Sequence, residues 1–204
     1  MTAADDSAAE KTGGFMSGHG HEPDTNNKGV ALLIAVLALM LAFSEMGGNN
    51  AEREAQAFNL EASNLWAFFQ AKTIRRTTVQ VAAEQIEAQL VTITDAAQRE
   101  VMQKRVSDWK RTADRYETEP ETQEGRKELA ARAKLAEEKR DTYKARNEVF
   151  ELSSAVLQIA IVLCSAMIIT GIAALVWVAA GLGVLSVGLM SIAMFAPGIV
   201  HFLF

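Results

Sequence analysis

Apolar positions crowd the two ends of this chain and thin out in its middle. From Leu152 to Phe204 there is no Asp, Glu, Lys or Arg, and the polar residues are Gln158, His201 and a few Ser and Thr. A hydrocarbon layer about 30 Å thick takes roughly 20 helical residues to cross, so this run predicts two spans. They divide best as Leu152–Ile169 and Val176–Ala196, joined by the weakly marked stretch Thr170–Leu175. A shorter apolar run, Val30–Phe43, predicts a third span within residues 29–48, with Lys28 at one end and Glu45 at the other. Pro197-Gly198 ends the last helix, and Trp177 suits an interfacial anchor. The lipid bilayer is therefore the expected solvent for both ends.

The middle reads as helix throughout. Between Asn49 and Glu119 there is neither proline nor glycine, and such a stretch has nothing to break it. Phe58, Ala62, Leu65 and Phe69 share one face at helical spacing, widened by Trp66 and Phe68. That face could pack on protein helices or lie in a bilayer surface. Its polar neighbours Glu52, Glu54, Glu61 and Asn64 are not basic, which favours protein packing. Two stripes with heptad intervals follow, Val79-Ala83-Ile86-Leu90-Ile93-Ala97 and Met102-Val106-Trp109-Ala113-Tyr116. Between them a β-branched run, Val91–Thr94, meets a capping pattern of Asp95 with Gln98, which predicts a break at Thr92–Asp95. An acidic, Pro- and Gly-containing turn occupies 117–125. Helix resumes over Arg126–Glu151, with Leu129, Ala133, Ala136, Tyr143 and Phe150 as its inner seam. At 1.5 Å per residue the return arm is about 40 Å long and the outgoing one about 100 Å, so the longer arm must bend, at Thr92–Asp95 or around Thr77-Thr78, or its first part must run beside the membrane. The predicted fold is an all-α membrane protein: three transmembrane helices with a polar, bent, coiled-coil-like helical insert (49–151) between the first and second.

Composition narrows the chemistry. Among 204 residues the formal net charge is -5, which argues against a nucleic-acid partner. Cys164 is the single cysteine and falls in an apolar span, so neither a disulfide framework nor a thiolate metal site is expected. Residues 1–28 are small, polar and acidic, and read as a disordered tail ahead of a retained anchor rather than a cleaved signal peptide. His19 and His21 lack a third ligand, so no metal is expected, and nothing calls for a cofactor. Of the 20 Lys and Arg, 18 lie between Arg53 and Arg146. The positive-inside rule then places the insert in the cytoplasm, although the rule weakens for excursions beyond about 60 residues.

The run Glu61-Ala62-Ser63-Asn64-Leu65-Trp66-Ala67-Phe68-Phe69-Gln70-Ala71-Lys72-Thr73-Ile74-Arg75 resembles the signature of a bacterial membrane-protein family known as domain of unknown function 4337. Leu157–Ser165 is similar to that family's second block. The resemblance covers roughly Val30 to the end and implies a multi-pass protein of the bacterial inner membrane. It also implies that Trp66, Gln70 and Lys72 belong to the defining structural feature. In this chain the last connector lacks the basic residues that family members often carry. The resemblance brings no activity.

No catalytic constellation is present, since no histidine falls in the middle of the chain and no phosphate-cradling glycine loop exists. The expectation is a non-enzymatic homo-oligomeric scaffold or accessory subunit of a larger membrane complex. Phe58, Leu65, Trp66, Phe69, Gln70 and Lys72 form its packing or partner surface. Gly181, Gly188 and Ser191 form a small-residue membrane contact. The competing expectation is a small oligomeric channel or transporter with Glu45 near the pore mouth, because an acid in a span is by default a functional candidate. Glu45 lies in the last turn of its span, where reaching the headgroup layer costs little.

Overall fold

The structure is a computed structural model, and it describes residues 25–195. The expected tail and its two histidines fall outside those residues except at 25–28, which are already helical. So do Pro197, Gly198 and His201. The described residues contain four helices and no strand. They are α1 (Thr25–Leu90), α2 (Ala96–Glu117), α3 (Arg126–Thr170) and α4 (Ala174–Phe195).

Helix α1 runs unbroken for 66 residues, about 100 Å at the usual rise. It passes through Gly47-Gly48, where the first apolar segment was expected to end, and through Thr77-Thr78. Glycine inside a helix costs about 1 kcal/mol relative to alanine, and here the missing side chains let α3 lie close. A Cβ on Gly47 would sit 2.7 Å from the Phe150 ring. The break falls where the β-branched run and cap predict it, at 91–95. Asp95 caps α2 by accepting from the backbone N–H of Ala97 and Gln98 at 2.8 and 3.2 Å. It is a reversal rather than a bend: Lys110 reaches Glu87 and Tyr116 lies beside Lys72, so α2 returns antiparallel along the far third of α1. Ala83, Val106 and Ala113 are buried between them.

A turn then hands the chain to α3. Gly125, buried at its N-terminus, has no room for a side chain, because a Cβ there would meet the backbone of Thr118 at 2.9 Å. From Arg126 onward α3 runs antiparallel to the rest of α1, through Trp66–Glu137, Phe58–Tyr143 and Ser44–Phe150. Gly171, in the left-handed region at φ 72°, closes α3, and α4 turns back along it.

The molecule therefore has two storeys that share α1. In the lower one, α1, α3 and α4 surround a core of Leu37, Leu157, Ala160, Cys164 and Ala179. In the upper one, α1 is paired first with α3 and then with α2. The lower segments of α1 and α3, and α4 as a whole, are long and apolar enough to cross a membrane. Their most apolar windows are only 17%, 28% and 17% buried inside the chain. Most of that apolar surface faces outward.

Candidate functional site: a buried lysine where three helices meet

Within the upper storey, the α1–α3 pair gives way to the α1–α2 pair where α2 ends and α3 begins, and a cation sits at that point. Lys72 is 5% exposed. Its stem passes between Phe68 and Tyr116, with Nζ 5.5 and 5.4 Å from the two ring centroids. Nζ donates to Glu119 Oε2 at 3.3 Å and lies 3.8 Å from Glu124. A charge removed from water costs several kcal/mol unless it is paired and hydrogen-bonded, and here the acidic turn between α2 and α3 supplies the partners. One turn on, Arg126 lies over the Phe69 ring at 4.8 Å. It donates to Thr73 Oγ1 at 2.9 Å and to Glu117 Oε2 at 2.6 Å. Arg76 Nε is 3.3 Å from the same Glu117 oxygen, near enough for an ion pair but not aligned for a hydrogen bond. Three cations and three carboxylates thus tie α1, α2 and α3 at one level.

Below the joint, Leu65 packs on Leu129 and Ala133. Trp66 stands edge-on to Phe69 and donates its indole N–H to Glu137 at 2.9 Å. Phe58 stacks on Tyr143, with Lys139 over its ring. Of the six residues assigned to a packing or partner surface, Phe58, Leu65, Trp66, Phe69 and Lys72 are thus turned toward helices of their own chain; only Gln70 is exposed. The sequence reveals an apolar face but not which helix covers it. Glu119, Glu124 and Arg126 were missed as members of the cluster, although an acidic turn in a chain with one lysine on an aromatic face was the available signal.

A second polar group marks the upper end of the apolar bundle. Ser44 is fully buried and donates to the Phe150 carbonyl at 3.0 Å. Asn147 donates to Glu52 and Glu151 at 3.2 and 3.0 Å. Beside them is an open cleft of about 440 Å³ lined by Glu45, Asn49, Asn147, Glu151, Ser154 and Gln158. Glu45 is exposed and also borders a groove with Asn50 and Arg53. Among the described residues no group of three or more His, Cys, Asp or Glu side chains could hold a metal ion.

Inside the bundle, α3 and α4 meet through small residues. Ser153 and Ser186 are fully buried with their hydroxyls 2.6 Å apart. Gly183 faces Leu37 across the bundle, where a Cβ would stand 2.9 Å from the leucine methyl. Gly181, Gly188 and Ser191, the residues expected at a membrane helix contact, lie on the outward face of α4. Two small-residue stripes run along α4, and the sequence does not tell which meets α3. The stripe of Ala179, Gly183, Ser186 and Ala193 is the buried one.

A family model described as "Domain of unknown function (DUF4337)" matches residues 26–196. Comparison with the curated proteins gave no match, and comparison with the solved structures gave none.

Proposed function

The chain belongs to the DUF4337 family, and on that premise we propose that it is a multi-pass membrane protein that works as a homo-oligomeric scaffold or accessory subunit, acting through helix packing and not through chemistry of its own. The observation that carries this reading is the pairing of a lower bundle whose apolar surface is mostly turned outward with a polar upper storey that continues from it without a break through α1 and α3 and is tied together higher up by the Lys72 joint. Lipid is the solvent that suits the first, and a projecting stalk is what the second provides. The upper storey, rich in Lys and Arg, then lies in the cytoplasm and the bundle in the bacterial inner membrane. In this arrangement Trp177, 80% exposed in the first turn of α4, lies at the opposite face of the bilayer, at the depth favoured by indole rings.

A second reading, a small channel, is supported by the acidic and amidic cleft beside Glu45. The two separate in one set of measurements, the stoichiometry of detergent-purified protein together with ion flux in liposomes. The scaffold reading expects oligomers without flux and recovery of itself or a fixed partner in a native pull-down. Flux abolished by Glu45→Gln would replace it with the channel, and a monomer with no partner would overturn both. For orientation, a reporter fused after Gly125 is expected to be active only in its cytoplasmic form.

A further inference from the structure

The face of α1 turned away from α2 and α3 is not what a solvated helix should present. Leu60, Ala67, Ile74, Val81 and Ala88 recur on it every seventh residue, and all are exposed, Leu60 by 63% and Ile74 by 67%. The positions interleaved between them from Ala57 to Gln85 are Ala, Asn, Ala, Thr and Gln. These ten sites alternate in steps of three and four, the spacing of a two-stranded seam. All but the half-buried Ala71 are exposed, and none carries a charge. A helix facing water on one side places charged side chains there, as α2 does, with ten charged residues among 22. The seam is a different surface from the seams that pair α1 with its own chain.

We propose that this stripe of α1 is a self-contact, where α1 packs in parallel and in register against α1 of a second copy of the chain. The inference rests on the membrane-scaffold reading, because anchoring both copies in one bilayer forces the two stalks to leave it side by side and at the same height. A two-fold axis along the membrane normal then sets each seam residue opposite itself. A charge on the seam would meet its own like charge, and between Ala57 and Ala88 there is none. The flanking positions agree. In the parallel register Gln56 faces the second copy's Glu61, and Gln70 faces its Arg75, so no like charges oppose each other. This gives the exposed Gln70 a place that its own chain does not. The stripe is about 47 Å long and about 10 Å wide, which amounts to on the order of 900 Å² over both partners and is small for a stable soluble dimer. The same spacing continues downward through Leu32, Val36, Leu39 and Phe43, all exposed, and this roughly doubles the contact inside the lipid layer. Arg53 is the single charge on the whole stripe.

The test is disulfide trapping of the full chain in native membranes. With Cys164→Ala as background, single variants Ala67→Cys, Ala71→Cys and Val81→Cys are oxidised with copper phenanthroline, and Gln103→Cys on the outward face of α2 serves as control. The expected result is a same-residue dimer at all three seam positions, at least tenfold above the control. Ile74→Glu should cut the Ala67→Cys dimer tenfold or more while circular dichroism of the purified protein stays helical, since Ile74 touches no core. Dimers absent from the seam, or formed equally at the control, would overturn the proposal. Light scattering on the same purified protein separates the two levels. An oligomer without seam disulfides sinks the α1 contact and leaves the scaffold, whereas a monomer sinks both.

Discussion

Two of the polar contacts that hold α3 in place, one at its N-terminal end and one just past its middle, are built from opposite materials. At the joint the buried groups are ionic, with Lys72 and Arg126 against Glu117, Glu119 and Glu124. In the bundle they are neutral, with two serine hydroxyls closing on each other between α3 and α4. The joint can hold charges because its rim is wet: Glu124 is half exposed, and Arg115, which reaches Glu119 at 3.5 Å, is largely so. In the bundle no water completes a hydration shell, so a charge would carry its full desolvation cost while a hydroxyl satisfied by one neighbour carries almost none. The difference shows that α3 is written for two surroundings, and that the crossover falls between Glu151 and Ser153.

The largest effect is expected from breaking the ionic half. Glu119→Gln leaves the buried Lys72 with only its distant, half-exposed partner and should destabilise the upper storey by about 3 kcal/mol, read as a lower melting temperature. Gly125→Ala comes next, at about 2 kcal/mol, because the backbone of Thr118 cannot move aside as a side chain could. In the neutral half, Ser186→Ala should cost about 1 kcal/mol, and adding Ser153→Ala should bring most of it back, since removing both partners leaves no orphan. Lys72→Met should be the mildest, within about 1 kcal/mol, because Glu119 keeps Arg115 and the methionine stem still fits between Phe68 and Tyr116. If Glu119→Gln cost no more than Ser186→Ala, the ionic contact would behave like the neutral one and the difference between them would vanish.

How far the sequence carried depended on whether a signal was local. The break at 91–95 was legible, because β-branched residues and the Asp95 cap act within one turn. The seams of α1 and α2 were legible as stripes, and Gly125 as the close of the turn. Which stripe meets which was not, for apolar spacing specifies a face and leaves its neighbour open. That is why Trp66 and Phe69 read as a packing or partner surface with no neighbour named, where the structure supplies α3, and why the stripe of Gly181 and Gly188 could not be told from that of Gly183. Arm lengths did carry topological information: the excess of the outgoing arm over the returning one is taken up by the far third of α1 and by α2 folded back along it. The passage of α1 through Gly47-Gly48 was hidden, since the packing of Phe150 on those glycines is a contact more than a hundred residues away in sequence.

That unbroken passage has a mechanical consequence. From Gly48 to Leu90 the helix extends about 64 Å beyond the apolar bundle, with no hinge at its base. On the proposed arrangement it is a lever whose fulcrum is the bilayer surface: a tilt of roughly 5° among the spans would carry the tip sideways by about 6 Å. Changes in bilayer thickness or in neighbouring spans would thus be magnified at the end farthest from the lipid.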